Sequence, residues 1–141
     1  MASANVELVR SIRAAMERGD YSAAEWADPE IEYVVADGPE PGTWTGLSGM
    51  ADYGRRLLAA WEAWSIEAEE FRELNGERVL VLEHHSGRGR ASGLEVGQVS
   101  GRGAAVFHIQ DGKVVRQVVY WDRAHALADL GLASETESSR S

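Results

Sequence analysis

Residues 103–123, GAAVFHIQDGKVVRQVVYWDR, decide the fold. They read as two long β-strands joined by a tight turn, ending in Trp121-Asp122 where the pattern becomes helical. A three-residue loop, Gln110-Asp111-Gly112, closed by Gly112 in the left-handed region, fits the spacing. A two-residue Asp111-Gly112 turn is the rival. With the longer loop, Ile109 faces Lys113, Phe107 faces Val115, Ala105 faces Gln117, Gly103 faces Val119 and Gly101 faces Trp121. Cross-strand partners share a face. One face then carries Gly101, Gly103, Ala105 and Phe107 beside Val115, Gln117, Val119 and Trp121. It is small in the middle and aromatic at the ends, which suits a concave wall with room for a ligand. Alternatively, Gly101 and Gly103 only permit a bend in a long strand. The other face carries Arg102, Ala104, Val106 and His108 beside Val114, Arg116, Val118 and Tyr120.

The remaining composition bounds the answer. A chain of 141 residues, 44% hydrophobic and with five Trp, is one domain with a substantial core. A formal net charge of −9 argues against nucleic acid or an anionic membrane as partner. There are no cysteines, hence no disulfide or thiol chemistry, which fits a reducing cytoplasm. No signal-peptide pattern and no apolar run of spanning length are present.

Before the hairpin, Ala4–Arg18 reads as a helix with Leu8, Val9, Ile12, Ala15 and Met16 on one face. A short second helix is expected over Asp20–Trp26, broken at Asp28-Pro29. Ile31–Ala36 reads as a strand and Asp37–Gly46 as a loop. Leu47–Trp64 reads as a long helix whose stripe includes Met50, Tyr53, Leu57, Leu58, Trp61 and Trp64. Ile66–Glu73 and Val79–His85 are strands around Asn75-Gly76, a strong hairpin signal. Ser86–Gly93 reads as a flexible basic loop, and Leu94–Gly101 leads into the opening stretch. Asp122 caps a closing helix, Arg123–Leu130. Residues 1–133 form the domain and 134–141 a disordered tail. Segregated helices and successive hairpins imply an α+β fold, with a curved antiparallel sheet wrapped around the N-terminal helices as a cone.

Few residues carry chemistry. His84 and His85 are neighbours on a strand and point to opposite faces, so they cannot share an ion. No histidine pair has zinc spacing, and neither a metal nor a nucleotide cofactor is expected. Asp37 ends a strand whose alternate residues face the core. It is either a base in a semi-apolar site or the support of an Asp-Gly turn. His84 or His85 is a candidate polar group in the pocket. Tyr33, Trp44, Tyr53, Trp61, Phe107 and Trp121 are the candidate wall, with Glu95 on the Gly101–Phe107 face.

The element order, together with WADPEIEY, the TGLSGM entry to the long helix, SGLEVGQ and FHIQDGKVVRQVVYWDRAHALADLGL, resembles the SnoaL-like branch of the nuclear-transport-factor-2-like superfamily. The resemblance covers about Asn5–Ala133. It implies a cone-shaped fold, often dimeric through the sheet. It also implies a small apolar or aromatic, polyketide-like ligand, and either acid–base isomerase or cyclase chemistry or a non-catalytic homodimeric binding module. Asp37 matches the proton-shuttling Asp of ketosteroid isomerase, a worked example of pKa tuning. That enzyme's two oxyanion donors are replaced here by Ile12 and Ala105, which argues against steroid isomerisation by its route. In the module reading, Val106, Val118 and Tyr120 meet a twin subunit.

Overall fold

A computed structural model describes residues 4–18, 25–38, 41–89 and 98–132. Helix α1 is Ala4–Glu17, followed by strands β1 (Ala27–Val35) and β2 (Gly42–Thr45) and helix α2 (Gly46–Ala60). Then come β3 (Trp61–Asn75), β4 (Arg78–Gly89), β5 (Gln98–Gln110), β6 (Lys113–Tyr120) and helix α3 (Arg123–Asp129). The strands form one sheet in the order β2-β1-β6-β5-β4-β3. It is antiparallel except where β1 runs parallel to β6, so the sheet is mixed. This is the α+β cone fold expected from the sequence, entered through a parallel seam that hairpin reasoning does not supply.

The central hairpin takes the shorter turn. Asp111 (φ 51°) and Gly112 (φ 75°) both adopt left-handed angles, as a two-residue hairpin turn of matching twist requires. Gln110 pairs Lys113 and Ile109 pairs Val114. A bulge then moves the register, so that Phe107 pairs Gln117 and Ala105 pairs Val119. Each expected pairing beyond the bulge has slid by two residues. Beyond the bulge this even slip leaves side chains on their expected faces, but on the turn side the slip is by one and Val114, expected on the outer face, turns into the inner core. The β4–β5 pairing likewise sets His85 opposite Gly101, far from His108.

Alternation builds two cores on the two faces. Inside, Val79, Val81, Ala105, Phe107, Ile109, Val114 and Ile31 pack against Val6, Val9 and Ile12 of α1. Outside, Leu80, Leu82, Ala104, Val106, Val118 and Tyr120 pack with Ala126 and Leu127 of α3. Asp122 caps α3, its carboxylate accepting from the Ala124 N–H at 3.1 Å. Both sheet edges are protected: β2 is four residues long, and β3 exposes Glu67, Glu69, Glu70 and Glu73.

Other local expectations change. The long helix stops at Ala60, and Trp61 and Trp64 begin β3. Their three-residue spacing continued the helical stripe by coincidence. The Asp37–Gly46 loop contains β2, because Thr43 and Trp44 pair with β1. Asp28-Pro29 lies within β1, in the irregular stretch between Ala27 and Glu32 where a missing N–H is tolerated. Strand β4 runs on to Gly89 through the stretch expected to be a loop. The expected helix over 20–26 falls largely outside the described residues, as do Glu95 and the tail.

Candidate functional site

A pocket opens on the inner face, between α2, the start of β3 and the ends of β1, β4 and β6. It is lined by Tyr33, Tyr53, Leu57, Trp64, Ile66, Glu83, His85, Val119, Tyr120 and Trp121. Its empty space is about 300 Å³ with the open mouth included.

His85 forms the floor. Gly101 and Gly103 lie opposite it on β5, and a Cβ added to either would sit 3.1 or 3.2 Å from an imidazole nitrogen. The space left by the two glycines thus seats the His85 ring. The ring stacks on Trp64 (centroids 5.7 Å, planes 23° apart) and meets Trp121 edge-on at 5.1 Å. Burial pulls its pKa below the usual histidine range, helped by His84 and opposed by Asp37. At neutral pH the floor is an uncharged imidazole.

The wall is aromatic. Trp64 and Trp121 lie 5.1 Å apart, with Trp61 touching both. Tyr33 packs on Tyr53 at 5.2 Å, and Trp44 backs Tyr53 at 4.7 Å. Burial first, then Tyr53 and Glu83, pushes the Tyr33 hydroxyl well above its usual range, so it stays a donor.

Below the wall lies a buried ion pair that sequence reading passed over. Glu83 Oε1 is 2.9 Å from Arg13 Nη1, with side chains 4% and 5% exposed. Burial raises the Glu83 pKa, and Arg13 pulls it back. The signal was present in both elements. Glu83 alternates with Val79, Val81 and His85 on the apolar face of β4. Arg13 continues the Val6-Val9 stripe of α1. Arg123 was also missed: it is 7% exposed, and its guanidinium ties α3 to the Glu83 carbonyl at 2.7 Å and the Gly103 carbonyl at 3.2 Å.

The expected site residues separate into groups. Tyr33, Tyr53, His85 and Trp121 line the pocket. Trp44 and Trp61 support it from behind. Phe107 is fully buried in the α1 core. His84 projects from the opposite face of β4, away from His85. Asp37 sits behind Trp121. One carboxylate oxygen accepts from the Trp121 N–H at 2.5 Å and the other meets His125 Nδ1 at 2.7 Å. His125 Nε2 is 3.4 Å from Asp129, which also accepts from the Tyr120 hydroxyl at 3.1 Å. Gly38 (φ 89°) completes the seat, because a Cβ there would fall 2.6 Å from the Trp121 indole. Ile12 and Ala105, at the places of the isomerase donors, are core residues 2% and 0% exposed. No group of metal-binding side chains occurs among the described residues.

A mixed six-stranded sheet with α1 packed on its inner face and α3 on its outer face defines an α+β domain. The SnoaL-like domain model matches residues 9–117, and the chain belongs to that family. No curated protein matches it. Among solved structures it is similar to a nuclear-transport-factor-2-like protein from Burkholderia thailandensis (21% identity, TM-score 0.75, 92% of this chain and 98% of that one). It is also similar to TerC co-crystallised with polyporic acid (21%, 0.68, 91% and 98%). A third is a ketosteroid isomerase-like fold from Catenulispora acidiphila in complex with trimethylamine (16%, 0.66, 90% and 94%). At these identities the structural likeness establishes the fold. In none of the described helices is there a stretch long and apolar enough to cross a membrane.

Proposed function

We propose that this chain binds a small, mostly apolar organic molecule in the inner-face pocket and moves a proton on it, with His85 as the acid–base group. The carrying observation is the seating of His85 on the pocket floor, 95% buried between two indoles and over two glycines. A neutral imidazole in an apolar site is a competent base near pH 7. The complexes of TerC with polyporic acid and of the Catenulispora protein with trimethylamine support a small organic occupant for this fold. Asp37 acts as a positioning residue: it holds the Trp121 backbone and does not line the pocket. A homodimer through Val106, Val118 and Tyr120 draws no support, because all three are packed with α3 residues within one chain.

The test uses phenylacetone, a one-ring carbon acid, in deuterated buffer. Native protein should catalyse deuterium uptake at the α-carbon, and His85→Gln should lose about 10²-fold or more of that rate while keeping its thermal shift with the ligand. Binding without exchange in the native protein would remove the acid–base role. No shift with any one-ring or two-ring ligand would remove the pocket itself. A ligand at 100 times its Kd should add about 2.7 kcal/mol of apparent stability.

A further inference from the structure

The wall segment Tyr120-Trp121 is held from outside the pocket. Both residues border the cavity. The Tyr120 side chain packs with α3 on the outer face, whereas the Trp121 indole meets Trp64 and His85 on the inner one. Two carboxylates fix the segment from behind. Asp37 accepts from the Trp121 N–H at 2.5 Å, and Asp129 accepts from the Tyr120 hydroxyl at 3.1 Å. Gly38 lies so close to the Trp121 ring that a Cβ would fall 2.6 Å from it, so a shift of Asp37 carries to the indole. His125 bridges the two carboxylates, with Nδ1 2.7 Å from Asp37 and Nε2 3.4 Å from Asp129. Its side chain is 39% exposed, so solvent protons reach it.

Only the charged ring can serve both carboxylates. A neutral imidazole has one N–H and one lone pair, so one carboxylate would then face the lone pair. The acidic groups around His125 favour the charge: Asp37 after β1, and Asp129 and Asp122 on α3. Tyr120 of β6 meets it edge-on at 5.2 Å and stays protonated, its pKa raised first by burial and then by Asp129. Arg123, the other basic residue of α3, turns instead to Glu69 and to the Glu83 and Gly103 carbonyls. We infer that His125 is a positioning residue of the pocket: its protonated ring joins Asp37 to Asp129, fixes the Tyr120-Trp121 wall and so sets the affinity for the ligand inside. Loss of the proton opens one of the two contacts and slackens the wall. Binding therefore weakens as pH rises above about 6.5. By reciprocity, a ligand that needs the wall in place raises the His125 pKa further. His85 acts in the opposite sense, because burial favours its neutral form and its titration weakens binding only on the acid side. The inference rests on the pocket reading, not on proton transfer at His85.

Calorimetric titration with phenylacetone, which carries no group that titrates in the histidine range, tests it on native protein, His125→Gln and His125→Arg. Native protein should lose about fivefold or more of its affinity between about pH 6 and 9. His125→Gln, which cannot be charged, should bind at the weaker level and show no such alkaline loss. His125→Arg, which stays charged, should bind tightly across the range. The His125 ring followed by NMR in native protein should titrate at higher pH with phenylacetone bound than without. An affinity that does not fall on the alkaline side, or a fall that persists in His125→Gln, would make the cluster a structural tie and overturn the inference while the pocket stands. Weak binding by His125→Arg as by His125→Gln would mean that the ring and not its charge holds the wall, which also overturns it. If phenylacetone binds at no pH, the pocket reading falls and takes the inference with it.

Discussion

The two faces of the sheet treat a histidine and its neighbouring carboxylates in opposite ways. On the inner face, His85 lies among indoles and its pKa is lowered, first by burial. Nearby, Glu83 meets Arg13 in a buried ion pair, and the buried Trp64 indole nitrogen has no hydrogen-bond partner. On the outer side, His125 lies between Asp37 and Asp129, and its pKa is raised, first by the Asp37 hydrogen bond. There the polar atoms form a continuous chain, from the Trp121 N–H through Asp37, His125 and Asp129 to the Tyr120 hydroxyl. A satisfied network locks structure, and an unsatisfied one keeps capacity for something else. The comparison sets an outer cluster that ties α3 to the sheet against an inner one that lines the pocket.

The largest effect that could break this contrast lies at the buried ion pair. Arg13→Ala would strand the Glu83 carboxylate inside the core, and urea unfolding should show a loss of about 3–5 kcal/mol. The paired Arg13→Met/Glu83→Leu should recover most of it, because two apolar side chains replace two costly charges. A single-variant loss below about 1 kcal/mol would mean that water reaches Glu83, and the inner face would no longer differ from the outer one.

A smaller effect is expected at Asp37. Asp37→Asn keeps an acceptor for the Trp121 N–H but turns the other contact with His125 into a neutral one. The loss should be about 1–2 kcal/mol in the same assay. Pocket ligands should bind more weakly as Trp121 loosens, and the pH profile of exchange should move slightly to lower pH, because the Asp37 charge no longer holds up the His85 pKa. A loss of exchange as large as that of His85→Gln would place Asp37 in the proton path and merge the two clusters.

How much of this was legible follows from the distances over which each feature is specified. Face assignments beyond the bulge survived a wrong turn because the side-chain period in a strand is two and the slip there was even, whereas Val114, between the turn and the bulge, changed face. Asp122 was legible as a cap because its partner, Ala124, is two residues away. Trp61 and Trp64 were misplaced because i and i+3 apolar spacing occurs by chance in a strand with an irregular pairing between Glu62 and Ser65. Glu83 and Arg13 left a readable signal, a charge on each of two apolar stripes. The pairing of Asp37 with His125 left none: 88 residues separate them, and only the parallel docking of β1 on β6 brings them together.

The smallest expected effect is also the most diagnostic, because the two histidines should push stability in opposite directions with pH. His125 has a raised pKa in the fold, so folding favours its charged form. That stabilisation is complete below the ordinary value of about 6.5 and is lost as pH rises through the raised value. His85 has a lowered pKa, so folding favours its neutral form. Its contribution is complete above about 6.5 and is lost as pH falls towards the depressed value. Urea midpoints measured from pH 5 to 9 should show His125→Gln flattening only the alkaline limb. His85→Gln should flatten part of the acidic limb, the remainder belonging to groups such as His108, whose pKa burial also lowers. If His125→Gln changed both limbs equally, the Asp37 and Asp129 contacts would not be distinguishing its protonation states. The outer cluster would then be a packing feature, and the contrast between the two faces would rest on the burial of His85 alone.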